Sequence, residues 1–191
     1  MNCVNGELQV EGHVRIFPKD NPSGILFEEK NLIVLGIKYL FARIFANINE
    51  PAWSVYGLAL GAGDSSWATL PNPPDAVVTN NALISPLLRK PISDIGFVDS
   101  NYNPVAPGSS SIVNFQTVIN ASTDNLVNQA PIMEMGLIGG GSRGVTVPST
   151  APYWNSTTYL ADSMVLLNYK TLPPLIFPAN VDFIISWALT F

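Results

Sequence analysis

The chain has 191 residues, 47% of them apolar and 12% charged, with a formal net charge of -5. That length suits one domain with a sizeable core, and nine Lys and Arg against fourteen Asp and Glu is the wrong balance for neutralising phosphates, so nucleic acid is excluded as an expected partner. With charge so far below the usual share of about a quarter, the surface is either polar and uncharged or covered by partners.

The opening MNCVNGELQV lacks a basic stretch followed by an apolar one, so no secretory leader is expected there. Cys3, the single cysteine, supplies neither a disulfide framework nor a thiolate metal site. Over residues 8–17, Val10, Gly12, Val14 and Ile16 point one way and Gln9, Glu11, His13 and Arg15 the other, the period of a half-buried strand. The turn-forming cluster at 18–24 returns the chain into a second strand over 25–29, so a hairpin opens the protein.

Asn31 then stands where a cap belongs, ahead of LIVLGIKYLFARIFANI, and the pattern predicts a helix over 32–48. With Lys38 and Arg43 as its charges it is apolar almost all round and needs cover on most sides. It is too short and too charged for a span of about 20 apolar residues, so no membrane insertion is expected.

Beyond Pro51 the pattern is one of strands and long loops. A strand over 55–60 runs into GAGDSS, residues 67–74 form an irregular proline-rich stretch, and a short helical turn is expected over 79–85. Strands follow at 87–98, 111–120 and 131–138, then a second long loop from 139 and strands at 163–169 and 181–191. The last is the clearest signal: Val181, Phe183, Ile185, Trp187, Leu189 and Phe191 share one face. About seven or eight short strands separated by turns predict a mainly β protein, an antiparallel β-sandwich of jelly-roll type. It carries one apolar helix near the N-terminus and long loops at 61–78 and 139–160.

Chemistry is sparse. Gly140-Gly141-Ser142-Arg143-Gly144 matches the serine elbow GxSxG, but no helix pattern follows, and His13, the single histidine, precedes the serine. Chance spacing in a glycine-rich loop explains the match, and chance in a chain rich in Asn and Ser explains the sequons Asn120-Ala121-Ser122 and Asn155-Ser156-Thr157. No spacing supports a metal or cofactor, calcium near Asp64 or Asp124 included, and no catalytic residue is assigned. Glu134 interrupts the apolar run IMEMGLI, where a carboxylate needs pairing, with Arg89 or Lys90 the expected partner; it is read as a structural anchor. Trp67, Tyr153, Trp154 and Tyr159 sit in loops among Asn, Ser and Pro, a composition that suits glycan or partner contact and equally suits loop anchoring.

The order of GHVRIF, NLIVLGIKYL, LALGAG, NNALISPLLRKPI, IVNFQTVI, IMEMGLI and VDFIISWALTF resembles that of small virion structural proteins of tailed bacteriophages, over nearly the full length. The chain departs from that pattern in its longer loops at 67–75 and 139–158. The resemblance implies a non-enzymatic sandwich subunit that multimerises around a symmetry axis. The expected function is therefore a tail, neck or baseplate component, located in the virion and assembled in the bacterial cytoplasm. Its expected partners are other virion proteins and copies of itself, trimer before hexamer. The alternatives are a capsid decoration protein and a glycan-binding host-attachment module.

Overall fold

Stretches of period two become strands, and their pairing decides where each ends. The computed structural model describes residues 3–4, 7–8, 10–38, 55–127, 129–139 and 165–191. Its strands are β1 (Cys3–Val4), β2 (Glu7–Leu8), β3 (Glu11–Pro18), β4 (Phe27–Ile33), β5 (Val55–Gly61), β6 (Pro86–Pro91) and β7 (Asp94–Val98). They continue with β8 (Pro104–Val105), β9 (Ile112–Asn120), β10 (Ile132–Gly139), β11 (Val165–Leu166), β12 (Asn168–Leu175) and β13 (Asp182–Thr190). The fold is mainly β and antiparallel, and its contacts group the chain into two compact units.

The first unit comprises Met1–Asn31, Ile92–Ile119 and Asp182–Phe191. Its strands run in the order β4, β3, β13, β9, β7, β8, with β1 and β2 as a small separate pair. β3 and β13 pair along eight registered positions, with Trp187 opposite Val14 and Ile185 opposite Ile16. Side chains alternate across a strand, so Val14, Ile16, Phe183, Ile185, Trp187 and Leu189 fall on one face, and all are buried. The other face of β3 carries His13 and Arg15, which the register sets opposite Lys30 and Glu28 on β4.

The second unit comprises Leu32–Pro91 and Asn120–Val181. Its strands run β6, β5, β10, β12, and β11 pairs with the end of β10. The last residues of β4 join it, Leu32 opposite Tyr169 and Ile33 opposite Asn168. Every residue of β10 is buried, which is why its sequence is a near-continuous apolar run. β12 keeps its place despite Pro173 and Pro174 because the β10–β12 register shifts between Ile132 and Glu134, a local irregularity at which prolines are tolerated within a sheet.

Four expectations are corrected. The helix expected over 32–48 does not begin at Leu32, because Asn31, Leu32 and Ile33 complete β4 and helical backbone is found over residues 36–38. Asn31 caps nothing: its side-chain amide is buried without a hydrogen-bond partner. Strand pairing with β3 and β12 overrides local helix propensity here, and residues 39–48 lie outside the described residues. The strand expected over 87–98 is two strands, β6 and β7, broken after Pro91. Finally, residues 79–85 form no helical turn, since Thr79 lies in a β-turn closed by Asn80 N donating to the Val77 carbonyl and bends follow at 82 and 84–85, while a 3-10 turn occupies Ser65–Thr69, capped by the Asp64 side chain accepting from Ser66 N.

Candidate functional site

Glu134, fully buried near the start of β10, accepts four hydrogen bonds. Its Oε1 accepts from the backbone N–H of Ser85 at 2.8 Å and of Gly63 at 3.2 Å. Its Oε2 accepts from Ile84 N at 3.0 Å and from the Tyr169 hydroxyl at 2.6 Å. Four donors converge on a group that in its ionised form only accepts, so its lone pairs are met without a cation. Burial first, then the hydrogen bond and the charge of Glu134, hold the Tyr169 hydroxyl far above its ordinary ionisation range.

The register explains why the expected cation is absent from this set. Glu134 lies opposite Gly61 on β5, and Gly61 lies opposite Pro86 on β6. Arg89 and Lys90 are further along β6, opposite Ala59 and Leu58. Lys90 instead reaches Asp124, its Nζ 2.7 Å from both carboxylate oxygens. Asp124 Oδ2 also accepts from Asn120 N, and the Asp124 side chain is fully buried. Glycine makes room for the Glu134 site: a Cβ at Gly61 would collide with Glu134 Oε1 and the Ser85 carbonyl. A run of small residues after an apolar strand, GAG, was the sequence signal for bare amides waiting on an acceptor.

What Glu134 does mechanically is fasten both ends of the segment 62–85 to the sheet, since Gly63 and Ser85 stand at its two limits. Inside the segment, Trp67 is 8% exposed, its ring packed on Gly63, whose φ is +65°. Ala76 and Leu83 pack on the core cluster of Val34, Ala59, Ile138, Leu166 and Tyr169. Leu70, Val77, Val78 and Ile84 are left outside, at 39–55% exposure. Replacing Gly63 by Ala places a Cβ into the Trp67 ring and forces an L-residue into left-handed backbone. We expect a loss of about 2 kcal/mol, of the order of an overpacked core position, read from urea denaturation.

The first unit has its own polar node. The His13 Nδ1 is hydrogen-bonded to the Tyr102 hydroxyl, and Nε2 lies 3.8 Å from Glu28 Oε1. Arg15 Nε is 3.4 Å from the same oxygen, with its guanidinium 4.6 Å from the Tyr102 ring centroid and 5.6 Å from that of Phe17. His13, Arg15 and Tyr102 are partly buried and Glu28 is exposed, in contrast to the fully buried Glu134.

Of the aromatic residues singled out for glycan or partner contact, Trp67 turns its ring inward, while Tyr153, Trp154 and Tyr159 lie outside the described residues, as does Ser142 of the GxSxG match. The Asn120 side chain is occupied, its Oδ1 accepting from Ser122 N and Thr123 N. Among the described residues no group of three or more His, Cys, Asp or Glu is placed to hold a metal, and no helix is long and apolar enough to cross a membrane. No protein-family model matches the chain, and no curated protein or solved structure shows significant similarity to it.

Proposed function

We propose that the chain is a non-enzymatic structural subunit of a larger assembly, a tail, neck or baseplate component of a tailed-phage virion that contacts copies of itself and neighbouring virion proteins. The jelly-roll-like sandwich belongs to this reading. One observation carries it: the segment 62–85 is clamped by Glu134 while it holds Leu70, Val77, Val78 and Ile84 towards solvent, with Asp64 and Asp75 as its charges. Apolar side chains on a rigid, nearly uncharged segment favour burial against another protein, because the ordering has been met by folding rather than by binding.

Sedimentation of the full chain in low and in molar salt tests the assembly. The expected result is a defined oligomer, trimer first, that survives salt, since screening weakens exposed ion pairs and leaves apolar burial largely intact. Val78→Asp with Ile84→Asp, both at exposed positions, should return it to monomer with its strand circular dichroism unchanged. A wild-type monomer in both salts, or an oligomer indifferent to the double substitution, overturns the reading. The phage part is tested by mass spectrometry of purified particles from the encoding host. The chain should be among their components, and its absence rejects a virion role.

A further inference from the structure

We propose that the turn over residues 99–103 is an acid-released latch, held on the outward face of β3 by Tyr102 through its bond to His13 and its stacking on Arg15. Tyr102 adopts φ +64°, a left-handed conformation that an aromatic residue rarely takes unless its surroundings hold it there. The turn is organised internally by Asp99, whose carboxylate accepts from Asn101 N at 2.8 Å and Asn103 N at 2.9 Å. Tyr102 reaches out of it to the strand. Glu28 beside Nε2 favours the proton on that nitrogen, which leaves the Nδ1 lone pair as acceptor for the Tyr102 hydroxyl.

A second proton on the imidazole occupies that lone pair. The hydroxyl can then no longer donate to Nδ1 and has to turn and accept from it, and the new cation stands near Arg15, already stacked on the Tyr102 ring, and Lys30, opposite it on β4, so the closed turn is opposed by like charge as well as burial. The nearby anions are Glu28, shared with Arg15, and Glu11, 3.5 Å from Lys30 Nζ. From β13, Ala188 faces His13, flanked by Ser186 and Thr190, none of which carries charge.

Burial, and after it the Arg15 and Lys30 charges opposed by Glu28, set His13 below its ordinary value of 6.5. An open turn that returns the ring to water raises that value towards the ordinary one, so between the closed and open values the open form binds more protons. The latch is therefore fully present above the ordinary value and lost as pH falls through the depressed one.

His13 is the single histidine, so its titration is read without ambiguity by NMR. Hydrogen exchange of the full chain, corrected for intrinsic rates, should show a several-fold loss of protection in a peptide covering 99–103 below the His13 midpoint. A peptide from β10 should keep its protection across the same range. His13→Gln should abolish the step in the turn. The latch is rejected if the turn keeps its protection through the midpoint, if the step persists in His13→Gln, or if β10 loses protection in parallel, which would mean general acid unfolding.

Discussion

Glu134→Gln is expected to lower stability by about 2–3 kcal/mol, although it removes no more than one formal charge and almost no volume. The amide has one oxygen and one NH₂ to offer four donors. With its oxygen on Gly63 and Ser85, its NH₂ faces the N–H of Ile84 and a Tyr169 hydroxyl that now has to accept. At least one backbone donor is left unmet. Glu134→Ala strands them all and should lose about 3–5 kcal/mol, comparable with opening a buried pair. For a chain of this length the Gln variant should melt about 5–10 °C lower. Tyr169→Phe, which removes one charge-assisted bond, should lose about 1.5–3 kcal/mol. Limited proteolysis separates a clamp from a general core defect: cleavage should appear first within residues 62–85. A Gln variant as stable as wild type, with that segment still resistant, would show that the carboxylate is incidental.

The Lys90–Asp124 pair should behave differently under double substitution. Both carboxylate oxygens lie 2.7 Å from Nζ, and the side chains are 18% and 0% exposed. Lys90→Met leaves a buried carboxylate without its cation and should cost about 3–5 kcal/mol. Asp124→Leu should cost a similar amount, and the two together much less than the sum, because neither stranded charge remains. A cycle that adds within about 0.5 kcal/mol would mean that the two charges contribute independently. Added salt should barely change the coupling, since a dry pair is poorly screened.

The parts of the fold legible in the sequence were those where one face is buried and the other is not. The alternation of Phe183, Ile185, Trp187 and Leu189 placed β13 to within a residue at its start, and that of Val14 and Ile16 placed β3. Asn31 was misleading because capping chemistry is local, while its residue was claimed by pairing to Gly12 across the hairpin. Glu134 was conspicuous as an acid in an apolar run, yet its partners depended on the β5–β6 register and on which loop amides came within reach. No spacing along the chain encodes that. Trp67 could not be assigned to anchoring or contact from composition, because an indole serves both until a specific neighbour such as Gly63 receives it.

Prolines in the terminal strands limit strand addition at the sheet borders. β6, the terminal strand of the second unit's sheet, begins with Pro86 and ends with Pro91, leaving four residues that carry an amide hydrogen. β8, terminal in the first, is Pro104 followed by Val105. A strand from another chain cannot extend a full ladder along either border, so open-ended polymerisation into fibrils is disfavoured there. An added strand would find an interrupted ladder at both borders, so a contact made there would rest more on side chains than on backbone hydrogen bonds.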